Sequence, residues 1–257
     1  MSPDLLRVAV VVPAADAELA GARLLELSPG GLELEERDGH VELAVYVSAE
    51  DAGPIQGVFP AATATPVAEG WENAWRAFHH PVVVGRLWIG PPWESPPAGL
   101  EPVVIDPGRA FGTGAHPTTR LCVELLARQK RCSLLDVGCG SGVLSIAAFR
   151  LGFGPLVAID NDPVAIDVTR ENAAANGVAL EAFTLDGTDG ALPPADLAVA
   201  NVLLEPVTTI LQRLQAARAI TSGYLASERP PAPGWEHADR LERDGWAADL
   251  FVRIRSR

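Results

Sequence analysis

Cysteine is scarce in this chain, lysine is nearly missing, and no long apolar run occurs. Each shortage narrows the field. The three cysteines, Cys122, Cys132 and Cys139, are an odd number with neither CxxC spacing nor a histidine partner at metal-ligand spacing. That argues against a disulfide framework and against structural zinc, and fits free thiols in a reducing cytoplasm. No stretch of about eighteen uninterrupted apolar residues exists, so no membrane span is expected. The N-terminal M-S-P-D-L-L-R-V-A-V has no basic segment leading an apolar run, so no secretory leader is expected. Cations are few as well: the net charge is −13. Phosphate neutralisation needs clustered cations, so direct nucleic-acid binding is not expected. Lys130 is the single lysine beside nineteen arginines, a drift in composition that carries no functional message.

The acidity is uneven. Residues 1–60 hold eleven acidic residues and three arginines, a local balance of −8. Such a surface either steers a basic partner or simply solubilises the fold. A length of 257 residues accommodates one sizeable core and a smaller module.

Leu5–Val12 reads as a buried strand ended by Pro13. A helix follows from Asp16, with Leu19, Ala20, Ala22 and Leu25 near helical spacing, until Ser28-Pro29-Gly30-Gly31 stops it. Two alternating segments, 32–36 and 41–47, flank an Asp38-Gly39 turn signal. The order β-α-β-β is that of a small α+β, ferredoxin-like module without a catalytic constellation. Residues 48–70, rich in Ala, Thr, Pro and Gly, predict a linker or a loosely helical spacer. Trp71, Trp75 and Phe78 share one helical face, a packing stripe. Short strands are expected at 82–84 and 87–89.

Beyond Val103 strands and helices alternate. Strands are expected at 132–137, 155–159, 180–185, 195–200, 221–226 and 247–254, and helices at 117–129, 142–151, 163–176, 205–219 and 235–243. This predicts an α/β domain with a doubly wound, mostly parallel sheet. Ligands collect at the carboxyl ends of such strands, where Gly138, Asp160, Asp186 and Asn201 fall.

The most specific of these turns is Leu134–Gly142, L-L-D-V-G-C-G-S-G. Its glycines, Gly138, Gly140 and Gly142, spell GxGxG, whereas a dinucleotide turn asks for GxGxxG and would need glycine where Val143 stands. Asp136 just ahead of the first glycine would repel a pyrophosphate but hold the cationic amino-acid end of S-adenosyl-L-methionine. The next strand, G-P-L-V-A-I-D, ends in Asp160, placed to accept hydrogen bonds from both hydroxyls of a ribose. A second signature, Asp106–Thr119, reads D-P-G-R-A-F-G-T-G-A-H-P-T-T. Gly112 and Gly114 make it a loop that can close over a nucleoside, with Phe111 and His116 as flat groups and Thr113, Thr118 and Thr119 as hydroxyls. The plain alternative is a packed connection with a helix-capping threonine.

These two signatures, joined to D-N-D-P-V-A and V-A-N-V-L, resemble the methyltransferases that modify the eleventh protein of the large ribosomal subunit. The likeness covers about Trp71 to Pro206 well and the N-terminal module more loosely. It implies a seven-stranded, Rossmann-like methyltransferase domain over 81–257, a linker and linker helix over 59–80, and a substrate-recognition domain over 1–58. It further implies S-adenosyl-L-methionine as cofactor and a basic ribosomal protein as partner, with methyl groups added to its α-amine and lysine ε-amines. By motif, Gly138, Gly140, Asp160, Thr119 and Asn201 take the cofactor-binding places, and Phe111 and Thr113 the closing loop. A cytoplasmic monomer without a metal is expected.

Asn201 ends its strand beside the methyl and is the candidate catalytic residue, orienting an amine or holding the cofactor's amino group. Asn201-Val202-Leu203-Leu204 replaces the N-P-P-Y of enzymes acting on planar amino groups, which favours an aliphatic amine. Asp186 either approaches the adenine or forms a turn, and Glu205 either pairs with a basic acceptor or caps a helix. The family's D-I-D-P is Asp160-Asn161-Asp162-Pro163 here. After the fifth strand L-A-S-E-R-P-P-A-P-G departs from the family's pattern. That departure keeps two alternatives open: methylation of another protein or small-molecule amine, and a non-catalytic nucleoside-binding module.

Overall fold

The structure, a computed structural model, describes residues 5–28, 32–37, 39–67, 80–106 and 112–254. The chain divides into two compact units, Met1–Phe78 and His79–Arg257.

In the first unit β1 (Leu5–Pro13) leads through a single 3-10 turn into α1 (Ala17–Leu27). Then come β2 (Glu33–Arg37), β3 (His40–Ser48), α2 (Ala49–Val58) and β4 (Thr63–Pro66). The sheet order is β2-β3-β1-β4, with every pairing antiparallel. Alternation decides the faces: Val8, Val10, Val41, Leu43, Val45 and Val47 bury against Ala20 and Leu24 of α1 and Ala52 and Ile55 of α2. On the other face the Arg7 guanidinium bridges Glu33 (3.0 Å) and Glu42 (2.7 Å), and the Tyr46 hydroxyl donates to Glu33.

The spacer expected over 48–70 is a correction, because most of it is folded. The Ser48 Oγ accepts from the Asp51 amide and caps α2, while β4 pairs with β1 along the sheet edge. Gly53, Pro54 and Gly57 give α2 a linker's composition, yet Ala52 and Ile55, three apart, are buried and hold the helix in place. The tryptophan stripe at 71–78 lies outside the described residues.

The second unit opens with a three-stranded sheet of β5 (Val82–Val84), β6 (Leu87–Gly90) and β7 (Glu101–Val104). Its main body runs α3 (Pro117–Ala127), β8 (Leu134–Val137), α4 (Val143–Arg150), β9 (Leu156–Asp160), α5 (Pro163–Ala175), β10 (Glu181–Thr184), β11 (Leu197–Asn201), α6 (Leu204–Arg213), β12 (Arg218–Leu225), β13 (Trp235–Arg243) and β14 (Trp246–Arg253). The seven strands pair in the order β10-β9-β8-β11-β12-β14-β13, the first five parallel and β14 antiparallel between β12 and β13. Leu121, Leu125, Leu144 and Ile146 of α3 and α4 fill one face with Leu134, Leu197 and Ile220. Val207, Ile210 and Leu211 of α6 fill the other with Leu135, Val137 and Ala200. The strand order reverses between β8 and β11, which opens a crevice at their carboxyl ends.

One expected helix, 235–243, is a strand. W-E-H-A-D-R-L-E-R is rich in helix formers, but Asp244 (φ 51°) and Gly245 (φ 80°) form a tight turn of the two-residue hairpin kind that pairs it with β14. A buried carboxylate fastens the hairpin: Asp249 accepts from the Tyr224 hydroxyl (2.8 Å), Arg240 Nη1 (3.0 Å) and His237 Nε2 (2.6 Å). Pairing of this kind outweighs local propensity. The helix expected to reach 219 ends at Arg213.

Among the described residues no group of three or more His, Cys, Asp or Glu is placed to hold a metal ion. Among those residues no helix is long and apolar enough to cross a membrane.

Candidate functional site

The glycine turn sits where β8 reaches the crevice. Gly138 (φ 73°), Gly140 (φ 53°) and Gly142 (φ 78°) all occupy the left-handed region, which a side chain would strain. Close packing adds a second requirement at Gly138, where a Cβ would stand 2.5 Å from Val202 Cγ1. The turn is tied down from β9. The Gly138 and Cys139 amides donate to the Ile159 carbonyl, and the Gly140 amide donates to Asp160 Oδ2 at 2.9 Å. Asp160 Oδ1 accepts from the Asp162 amide, and Asp162 in turn caps α5 through the Val164 amide. Asp160 therefore shapes the turn, with its carboxylate half-buried at the rim of the crevice.

Polar side chains of α5 complete the support. Thr169 Oγ1 donates to the Gly140 carbonyl (2.9 Å). Asn172 Nδ2 donates to the Ser141 carbonyl (2.9 Å) while its Oδ1 accepts from the Asp106 amide (3.1 Å). Asn176, one turn on, holds the Val104 amide and carbonyl. Sequence reasoning missed these residues. The signal was there, since Thr169, Asn172 and Asn176 sit three and four apart on the buried stripe of α5, where a polar residue needs a partner.

Asp136 stands under the turn, only 1% exposed. Its Oδ2 accepts from the Ser145 amide (3.0 Å) and the Ser145 hydroxyl (2.7 Å), which caps the first turn of α4 in place of Gly142, a residue without a side chain. Oδ1 is buried and has no hydrogen-bond partner among the described residues. Burial pushes the carboxyl up to about 6, against the pull of the two Ser145 bonds. A buried oxygen held this way is a strong acceptor for a cation or a donor brought into the crevice.

Asn201, at the end of β11, donates from Nδ2 to Thr119 Oγ1 (3.4 Å), which brings together two residues singled out from sequence. Thr119 is buried on α3. Thr113 lies half-buried between Gly112 (φ 109°) and Gly114 (φ 88°), and Ser141 Oγ donates to the Gly112 carbonyl, linking this loop to the glycine turn. Phe111 lies outside the described residues. His116, not a threonine, caps α3: its Nδ1 accepts from the Thr118 amide and bonds the Thr118 hydroxyl at 2.7 Å. Its ring meets Trp246 edge-on at 4.8 Å, and burial lowers its pKa. Asp186 is exposed and binds the Thr188 amide and hydroxyl, forming a turn. Glu205 is exposed in the first turn of α6, which has no side-chain cap.

Residues 41–253 match the model of the family described as Ribosomal protein L11 methyltransferase (PrmA). A protein named ribosomal protein L11 methyltransferase from Myxococcus xanthus is 33% identical over 261 residues, covering 89% of this chain and 90% of that protein. One of the same name from Azotobacter vinelandii is 41% identical over 200 residues, covering 72% of this chain and 68% of its own. The crystal structure of a ribosomal protein L11 methylase from Lactobacillus delbrueckii subsp. bulgaricus superposes with a TM-score of 0.62 at 27% identity, covering 69% of this chain and all of that one. With the glycine turn, the strand order and more than four-fifths of its length accounted for in this way, the chain belongs to the ribosomal protein L11 methyltransferase family.

Proposed function

We propose that the chain transfers methyl groups from S-adenosyl-L-methionine to the α-amine and lysine ε-amines of ribosomal protein L11. The observation that carries the cofactor reading is the buried, unpartnered Oδ1 of Asp136 beneath three left-handed glycines. A phosphate there would meet a carboxylate, whereas a cationic amino acid compensates it. Bound at this turn, the cofactor would supply a methyl on a cationic sulfonium. Gly138 and Gly140 admit it to the backbone, Asp160 takes the ribose hydroxyls, and Thr113 covers it; Phe111 is assigned to the same role by its sequence motif alone. Asn201 and Thr119 complete the contact.

The chain's own part in the reaction is alignment and desolvation. An acceptor amine must arrive neutral. At pH 7 that costs a lysine about 4.6 kcal/mol and an α-amine about 1 kcal/mol. A dry crevice with a cation beside it disfavours ammonium and lowers both figures. Asn201, its amide nitrogen engaged by Thr119, keeps its carbonyl oxygen for the acceptor N–H and so aims the nitrogen lone pair. No separate base is needed.

The first unit is read as a ferredoxin-like recognition module; its β2-β3-β1-β4 antiparallel order supports this. Its acidic balance suits a basic ribosomal protein, and the chain is read as a cytoplasmic monomer without direct nucleic-acid contact. The departure at 225–234 favours a second reading, a different protein or small amine as acceptor. One experiment separates them: the purified protein, methyl-labelled cofactor and isolated L11, beside total ribosomal protein from a strain lacking the gene. Label on L11 is expected. Label on other acceptors alone, with L11 unlabelled, overturns the substrate.

A further inference from the structure

Leu203 is 69% exposed, more than any other large hydrophobic among the described residues. An exposed leucine alone means little, but the setting of this one is unusual in two respects. It occupies the N-cap of α6 with extended backbone (φ −57°, ψ 158°) and offers no side-chain cap. Serine, threonine, aspartate or asparagine would cap that helix, and leucine is among the poorest residues there. A position that forgoes a local stabiliser while exposing apolar surface is a mark of function.

The second respect is how firmly the position is held. Val202, the preceding residue, is clamped on three sides. Its amide donates to the Ser222 carbonyl, its side chain covers Gly138, and its own carbonyl lies where a Cβ on Gly223 would stand 2.1 Å away. Gly223 has φ 103° and sits at the irregularity where the β12–β14 register shifts. Two glycines thus admit this segment against the sheet, and the Leu203 carbonyl is engaged by the Val207 amide. The leucine is presented on a fixed backbone, two residues beyond Asn201, at the carboxyl-end rim.

We infer that Leu203 is a specificity-determining residue that lines the acceptor entrance and packs on the aliphatic stem of a lysine whose ε-amine is brought to Asn201. This rests on the amine-methyltransferase reading and extends it. A lysine offers a four-carbon stem to cover; an α-amine carries its charge on the backbone and offers none. Covering the stem also expels water near the nitrogen and favours the neutral amine, which the ε-amine needs more.

The test uses the full-length protein with L11 as acceptor and mass analysis that resolves ε-amine from α-amine products. Leu203→Ser should reduce kcat/KM for ε-amines about tenfold, the loss of a side chain's apolar contact. The drop should appear largely in KM, and the pH profile for ε-amines should move upward. Methylation of the α-amine should change by no more than about twofold, and Leu203→Met should stay within about twofold on both. Because serine is the better N-cap, the melting temperature should hold or rise. Equal losses at both amines, no loss at either, or a loss that follows a lowered melting temperature overturns the role. An unsubstituted protein that fails to label L11 at all overturns the underlying function, and this inference with it.

Discussion

Replacing Asp136 by asparagine separates the electrostatics of the site from its shape. The carboxyl is buried against the N-terminal turn of α4, with one oxygen on Ser145 and the other unpartnered. Burial raises its pKa from 3.8 to about 6. A carboxyl whose folded pKa exceeds its unfolded value holds its proton more tightly in the native state. The stability of the cofactor-free protein therefore falls as pH rises from about 4 to about 6. At about 1.4 kcal/mol per pH unit, that gap corresponds to about 3 kcal/mol. Asparagine keeps an acceptor for Ser145 and never ionises. Its extra N–H, if unsatisfied, costs about 1–3 kcal/mol at every pH, an offset that cancels between two pH values. Urea unfolding followed by tryptophan fluorescence suits the measurement, since Trp88 and Trp235 are buried in the second unit. The stability of Asp136→Asn minus that of the unsubstituted protein should rise by about 2 kcal/mol between pH 4 and pH 7.5, most of that gap. At pH 7.5 the variant should also bind S-adenosyl-L-methionine about tenfold or more weakly, because the cationic end meets no charge. A stability difference independent of pH, together with undiminished binding, refutes the account of this carboxylate.

Gly138→Ala combines a left-handed backbone with a contact 2.5 Å from Val202. It should cost about 2–4 kcal/mol and weaken cofactor binding, read by melting and calorimetry; a variant melting within a degree of the parent contradicts the packing described. Asp249→Ala removes the buried acceptor shared by Arg240, Tyr224 and His237 and leaves the Arg240 guanidinium, 8% exposed, with Glu242 as its remaining carboxylate partner. It should cost about 3–5 kcal/mol and lower the melting temperature of the second unit by about ten degrees.

The regions legible from sequence share a physical cause. β8, β9 and β11 are short, mostly apolar runs, β8 leading into Gly138 and the other two ending in Asp160 and Asn201, and parallel strands buried on both faces have to look that way. Their order around the crevice follows from strand–helix alternation. Composition misled at α2, where two glycines and a proline mask a helix held by Ala52 and Ile55. Propensity misled at β13, where the Asp244-Gly245 turn and the ion pair to Asp249 decide the outcome against helix-forming residues. Asp136 stood out in the sequence as an acid beside the glycine turn but not as a helix cap, since its partner Ser145 becomes a neighbour only once α4 folds back onto β8. The supports on α5 were hidden for the same reason: Asn172 reaches Ser141 and Asp106 across long stretches of chain.

Cofactor binding is proposed at the glycine turn between the carboxyl ends of β8 and β9. A calorimetric titration of the purified chain with S-adenosyl-L-methionine tests it most directly. Saturable binding at one site per chain is predicted, weakened by at least about tenfold in Asp160→Ala, because that carboxylate pins the Gly140 amide and is the proposed acceptor for the ribose hydroxyls. Absence of heat at millimolar cofactor, or an Asp160→Ala variant that binds as tightly as the parent, would contradict it.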